Sequence, residues 1–364
     1  MVKKILFIAS HRPCRNPGQR FRFEQYLDKL RQEGYQCELS YIISEQDDAV
    51  FYAPGKLFRK LLMGLKAFFH RLRDVRRARQ YDIVFVFREA FFIGSAFFEK
   101  RFASSGAKVV FDFDDAIWHF DVSEGNRSLG WLKRPSKTAE IIGISDAVIA
   151  GNRYLADYAL KFNSQVQIIP TTIDTAYHKP VSERNWNPEV VCIGWTGSHT
   201  TVKHFRIIEP VLLKLRQKYG DRIRFKLIGD ASYSREDLGL RGMAWKLDSE
   251  VSDLADIDIG IMPLPDDEWA KGKCGFKGLQ YMAMEIPAVM SPVGVNTEII
   301  SHGVNGFLAD TEREWEEVLS SLIESHELRR RIGIEARKVI EARFSVNAHW
   351  PAYRDLFRGL VPRD

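Results

Sequence analysis

The chain has 364 residues, 45% hydrophobic and 28% charged, with a formal net charge of +5. That length exceeds the usual size of one hydrophobic core, so two domains are the default, and the composition excludes a disordered chain. The longest apolar stretch, AFFIGSAFF at 90–98, is about half of what a membrane span needs. Cys14, Cys37, Cys192 and Cys274 are scattered without a C-x-x-C pair, which favours a reducing cytosol over a disulfide framework or a zinc site.

The opening MVKKILFIASHRP lacks a long apolar region and a small-residue cleavage site, so KILFIAS (4–10) reads as a first strand rather than a signal peptide. A Pro/Gly/Arg loop follows, and FRFEQYLDKLRQEG (21–34) has helical spacing closed by Gly34. CELSYII (37–43), YDIVFVF (81–87), AKVVFDF (107–113) and DAVIAGN (146–152) are strand-like runs suited to a buried parallel sheet. From 190 the pattern restarts as strand, Gly loop, helix and terminal Gly in VVCIGWTGSHTTVKHFRIIEPVLLKLRQKYG. IRFKLIGD (223–230), DIGIMPLP (258–265) and PAVMSPVG (287–294) continue as strands with helices between them. The tail 345–360 carries one more helical stretch, broken by Pro351. Two such halves predict two Rossmann-like domains facing a central cleft at the carboxyl ends of their strands, joined by the polar segment 170–189. Neither half contains G-x-G-x-x-G, so no dinucleotide cofactor is indicated. None of the nine histidines has i, i+4 metal spacing with a second His.

KGKCGFKGLQYMAMEIPAVMSPVGVNTEIISHGVNGFLAD (271–310), with GDASY (229–233), DIDIGIMPLP and ARKVIEARFS around it, resembles a retaining glycosyltransferase of family 4 with the two-domain GT-B fold. PGQRFRFEQYL and YDIVFVFRE extend the resemblance into the first half. It implies an N-terminal Rossmann-like acceptor domain over 1–175, a donor domain over 176–345, and a C-terminal helix, 346–364, that packs back on the first. The implied donor is a nucleotide diphosphate-sugar, with UDP or GDP expected, and the implied acceptor is a glycan or lipid-linked precursor. The family's enzymes need no metal, and none is expected here.

The residues support that site independently. A helix starting near Gly275, Phe276 and Lys277 presents backbone N–H groups and a positive dipole end. Lys273 and Lys277 add cationic donors, a set suited to a diphosphate. In GWTGSHTTVK (194–203), the loop amides with Ser198, Thr200 and Lys203 are further phosphate candidates, against an ordinary strand-to-helix turn. Gln280 stands where the family carries a ribose-binding Glu, and Gly272 where it carries an earlier one. A Gln accepts one hydroxyl hydrogen bond and donates another, so ribose binding remains the expectation, and a Glu at 280 is expected to preserve or tighten it.

In the first half, PGQRFR puts Gly18, Arg20 and Arg22 at a helix start. The resemblance implies that this loop faces the donor, with Gly18 at its phosphates and Arg20 on the acceptor side, and the alternative is that the two arginines are a solvated helix face. Arg88 and Glu89 follow a strand end as further acceptor-side candidates. FDFDDAIW (111–118) crowds Asp112, Asp114 and Asp115 at another strand end. A metal-binding D-x-D, a dehalogenase-type nucleophile and a group beside the reacting sugar compete there. The third fits the order of elements, which makes Asp114 and Asp115 the catalytic candidates, with helix capping the alternative for Asp115. Segment 55–80 holds nine Lys/Arg against one Asp, with Leu57, Leu61, Leu65, Phe68, Phe69 and Leu72 at helical spacing. It is expected to lie on an anionic membrane surface at its cytoplasmic side, the alternative being a helix with its apolar side in the core. No nucleic-acid motif accompanies the charge. Two other readings stay open: a same-fold epimerase or hydrolase, and a non-catalytic nucleotide-binding or membrane-docked subunit.

Overall fold

A computed structural model describes residues 2–52, 55–119, 134–180, 184–186 and 189–361. Residues 181–183, 187 and 188 of the expected linker lie outside them. The chain forms two compact units, Met1–Thr171 with Trp350–Asp364, and Thr172–His349.

The first unit runs β1 (Lys4–His11), α1 (Pro17–Arg22), α2 (Leu27–Gln32), β2 (Gln36–Ile43), α3 (Glu45–Phe51), α4 (Leu57–Ala78), β3 (Ile83–Phe87), α5 (Phe97–Ala103), β4 (Lys108–Phe113), α6 (Lys137–Ile144), β5 (Ala147–Ala150), α7 (Arg153–Ala159) and β6 (Val166–Ile168). Its six strands are all parallel, in the order β2-β1-β3-β4-β5-β6. The near-continuous apolar runs of β1, β3 and β4 follow from burial on both faces. The single helix expected over 21–34 is instead α1 and α2 with a short 3-10 turn between them. Phe23 leaves helical geometry there at φ −136°, and the Glu24 carboxylate accepts from the Cys14 N–H and the Gln19 amide.

Helix α4 does not turn its whole apolar side to the core. Lys60, Met63, Ala67, Arg71, Asp74 and Ala78 form its buried face. Arg71 is fully enclosed and donates to the carbonyls of Ala9 and Ala90 and to Asp74. Its charge is therefore internal, and Arg77 pairs with Glu38 and Tyr81. Of the apolar side chains at the predicted spacing, Leu57, Leu61, Leu65 and Phe69 are exposed, whereas Phe68 packs edge-on against Phe91 and Phe98 and Leu72 is half-buried.

The second unit contains β7 (Val191–Thr196), α8 (Val202–Phe205), α9 (Glu209–Tyr219), β8 (Ile223–Ile228), β9 (Ser234–Arg235), β10 (Leu240–Met243), α10 (Glu250–Ala255), β11 (Ile259–Met262), α11 (Glu268–Lys271), α12 (Phe276–Ala283), β12 (Ala288–Met290), α13 (Asn296–Ile299), β13 (Phe307–Leu308), α14 (Glu312–Glu324) and α15 (His326–Val339). The sheet order is β13-β12-β11-β7-β8-β10-β9, parallel except for β9 against β10. Its core packs Trp195, Phe205, Leu212, Leu215, Trp315 and Leu319 around the sheet.

The last helix, α16 (Val346–Leu360), continues through Pro351 where a break was expected. Within the first unit its ring residues anchor it: Tyr353 stacks on Tyr26 at 4.2 Å, and Phe357 stacks on Phe85. That packing outweighs the one backbone hydrogen bond the proline forgoes.

Candidate functional site

Each sheet has a strand from which the chain first builds outward on one side and then on the other. Ligand crevices form at the carboxyl ends of strands flanking such a point. In the first unit these strands are β1 and β3, and in the second β7 and β11.

At the first, Gly18 opens α1 behind the Asn16 cap, whose side chain accepts from the Gln19 N–H. Arg88 follows β3 in the left-handed region at φ 60°, a strained geometry for a side chain of this size. It turns the guanidinium onto both carboxylates that follow β4: Nε donates to Asp114 at 2.7 Å and Nη2 to Asp115 at 2.6 Å. A methyl at Gly18 would sit 2.8 Å from the Asp114 carboxylate, so the glycine makes room for this cluster. Gly18, Arg88, Asp114 and Asp115 thus come together, two anions sharing one cation. Asp112 does not join them. It is fully buried and takes Arg22 as its partner at 2.6 Å, with Arg22 also donating to the Ile169 carbonyl. Burial pushes the Asp112 carboxyl above its usual range, an effect the guanidinium beside it only partly offsets. Glu89 turns to Lys137 at 3.2 Å, and the Arg20 guanidinium lies over the Phe21 ring.

At the second crevice, Gly275 is the first residue before α12, at φ 69°, and as a glycine it brings no capping side chain of its own. A methyl at Gly275 would meet Ile299 at 2.3 Å, so position 275 requires glycine on two counts. Lys277 lies over the Trp195 ring, 5.5 Å from its centre, and Lys273 lies over Trp269. His204, 5% exposed on α8, gathers the charges: burial and then Lys277, Lys273 and Lys203 lower its pKa to about 4. Lysines from two segments far apart in sequence thus act on the same imidazole. The Gly loop hydroxyls are engaged locally, with Ser198 and Thr201 capping one another and Thr200 bonded to Ser198. Trp195 is a core residue.

Gln280 is 3% exposed. Its Nε2 donates to Glu250 at 3.3 Å and lies 3.4 Å from His178 Nε2. Since a carboxylate only accepts, Glu250 decides which way the amide faces and leaves the Oε1 as its acceptor. Trp245 Nε1 donates to the same carboxylate.

Several contributors escaped the sequence reading. The β7–β11 ladder ends at Gly194–Gly260, while β7 runs on to Thr196. Tyr281, fully buried, fills the gap: its hydroxyl accepts from the Thr196 N–H at 2.8 Å and donates to the Ile261 carbonyl at 3.4 Å. Gly260 gives the ring space, since a methyl there would lie 2.3 Å from it. Tyr281 thereby fixes the spacing between α12 and the start of the Gly loop. Beside that loop, His199 bonds to Asp230 at 3.0 Å, and a cavity opens between them and Arg206, Glu209, Tyr233 and Arg235. Only the GDASY motif hinted at it.

Residues 187–325, less than half of the chain and within the second unit, match a family model described as glycosyl transferases group 1. No match was found among curated proteins. A glycosyltransferase from Rickettsia africae superposes with a TM-score of 0.69 at 14% identity, covering 100% of this chain and 99% of that one. Sucrose-phosphate synthase from Thermosynechococcus elongatus gives 0.66 at 15% identity, covering 98% and 99%. Anabaena HepE in complex with UDP and glucose gives 0.65 at 15% identity, with the same coverage. At these identities the likeness is one of fold: the chain has the GT-B architecture of two Rossmann-like domains, and its residues 187–325 carry the group 1 pattern.

Proposed function

We propose that the chain is a glycosyltransferase that moves a sugar from a nucleotide diphosphate-sugar to a glycan or lipid-linked acceptor, with retention of configuration and without a metal. The observation that carries this reading is the Gly275-led start of α12 with Lys273 and Lys277 on either side of it, Lys277 lying over Trp195, the β7 residue before the Gly loop. Cations and helix-end amides held in place before the reaction favour the charge that builds on a departing diphosphate. The group 1 match over this unit supports it, as does the solution of HepE with UDP-glucose.

In this reading the second unit is the donor domain. Gly275, Phe276, Lys273, Lys277 and Lys203 hold the phosphates, and the Gln280 Oε1 accepts from a ribose hydroxyl. The first unit is the acceptor domain, where Asp114 and Asp115, oriented by Arg88, hold the acceptor hydroxyl. Its oxygen bonds to the anomeric carbon as the bond to the diphosphate oxygen breaks, and the hydroxyl proton leaves with the diphosphate. A lipid-linked acceptor places the protein at the cytoplasmic face of a membrane. No helix among the described residues is long and apolar enough to cross one.

The test is thermal stabilisation by UDP, GDP, ADP, CMP and their sugar conjugates. A ligand at about 100 times its Kd adds roughly 2.7 kcal/mol. A shift with one nucleobase supports the donor site, and none with any removes it. Donor turnover to free sugar without acceptor would instead favour a hydrolase.

A further inference from the structure

Leu57, Phe58, Leu61, Leu62, Leu65 and Phe69 on α4 are 48% to 72% exposed. They recur on one side of the helix at spacings of one, three and four, a continuous apolar ridge. The cations beside it are exposed as well, namely Lys56, Arg59, Arg73, Arg76, Arg79 and Lys66, the last paired with Asp47 of α3 at 3.2 Å. The helix has one acid, Asp74, and that is buried against Arg71 and Ser40. Large apolar side chains do not stand outward in a row without cause, and a cation fringe with no exposed acid on the helix selects an anionic surface.

The position of the ridge along the unit matters equally. Asp74 bonds to Ser40, and Ile43 ends β2 three residues further on, about 10 Å along the strand. Because α4 runs back against β2, that level corresponds to about residue 67 of the helix. The ten residues from Leu57 to Lys66 therefore project about 15 Å past the carboxyl edge of the sheet. That edge carries Arg88, Asp114 and Asp115. Arg71 locks the two together, since it donates to the carbonyl of Ala90, two residues beyond Arg88.

We infer that this overhanging ridge inserts into the headgroup region of an anionic lipid bilayer and so holds the carboxyl edge of the first unit at the membrane. The inference rests on the proposed membrane-side reaction but changes how contact is made. Apolar insertion supplies the hold, and the cations choose the lipid. Arg71, which the sequence counts among the surface charges, contributes by fixing the helix to the sheet.

The experiment is flotation of the full chain with phosphatidylcholine vesicles, with and without phosphatidylglycerol. Wild type should float only with the anionic vesicles. Phe58→Ser/Leu61→Ser/Leu62→Ser should lose at least about tenfold in partition while keeping its melting temperature and its UDP-induced shift. Arg59→Gln/Lys66→Gln/Arg73→Gln should lose the preference for phosphatidylglycerol. Undiminished flotation of the apolar variant overturns the insertion, as does wild type that never floats. A wild-type dimer that the same variant converts to monomer also overturns it, because the ridge is then an interface between copies. The UDP shift separates the outcomes: a protein that binds UDP and ignores vesicles keeps its donor site and loses only this docking face.

Discussion

Changing Gln280 to Glu tests the buried cluster most directly, because the change installs the residue type that the resemblance implies yet places it against a carboxylate. Gln280 Nε2 lies 3.3 Å from Glu250 Oε1, and the two residues are 3% and 4% exposed. Two ionised carboxylates at that distance repel by about 5 kcal/mol at an effective dielectric of 20. Holding a proton on one of them near pH 7 instead costs about 4 kcal/mol, from the ordinary Glu pKa of about 4.3. The cheaper route sets the ceiling, and relaxation with the imidazole of His178 nearby leaves an expected loss of about 2–4 kcal/mol. For a unit of this size that lowers the melting temperature by roughly 5–15 °C. The sign with pH follows from the raised folded-state pKa. The penalty is absent below the unfolded pKa, grows as pH rises and is complete above the folded pKa, so near pH 5 it should fall to about 1 kcal/mol. Thermal unfolding of wild type and variant at both pH values reads this directly. Gln280→Met serves as control, since it removes the amide donor without adding a charge. A deficit in Gln280→Glu that is the same at both pH values, or no deficit, would refute the reasoning and return position 280 to the simpler expectation that a Glu is neutral or beneficial there.

Tyr281→Phe should cost about 1–3 kcal/mol, because it leaves the Thr196 N–H and the Ile261 carbonyl buried without their bridge. It should also weaken nucleotide diphosphate binding by loosening the Gly loop, and unchanged affinity by calorimetry would argue against that coupling. Lys273→Ala and Lys277→Ala should each weaken nucleotide diphosphate binding about tenfold or more, and unaltered affinity in both would remove the phosphate site. Arg22→Met strands the buried Asp112 and should cost about 3–5 kcal/mol in thermal or denaturant unfolding. Adding Asp112→Asn should restore much of it, and failure to do so would mean that Arg22 acts mainly through the Ile169 carbonyl. Gly18→Ala should press on Asp114 and lower turnover more than stability, measured as product formed against melting temperature.

What could be read from the sequence was what is local in it. The strand runs, the Gly-led turns and the cationic start of α12 are each written within a few residues, and periodicity finds them. Two Rossmann-like halves follow from their order. Contacts across long separations left no such mark. Glu250 lies 30 positions from Gln280 and Thr196 lies 85 from Tyr281, so neither partner was visible. Helix α4 shows the same limit in another form. Its spacing announces two faces but not which of them the core takes. Arg71 and Asp74, three residues apart, look like a solvated ion pair in the sequence, whereas in the fold they are the buried clamp that turns the leucines outward. A polar pair can be the core side of a helix when each partner finds its hydrogen bonds there, and the apolar residues are then left to meet something else. The same reasoning answers position 280. A glutamine in place of a glutamate looks like a lost charge when read alone. Beside the buried Glu250 its amide donates a hydrogen bond where a second carboxylate could only repel.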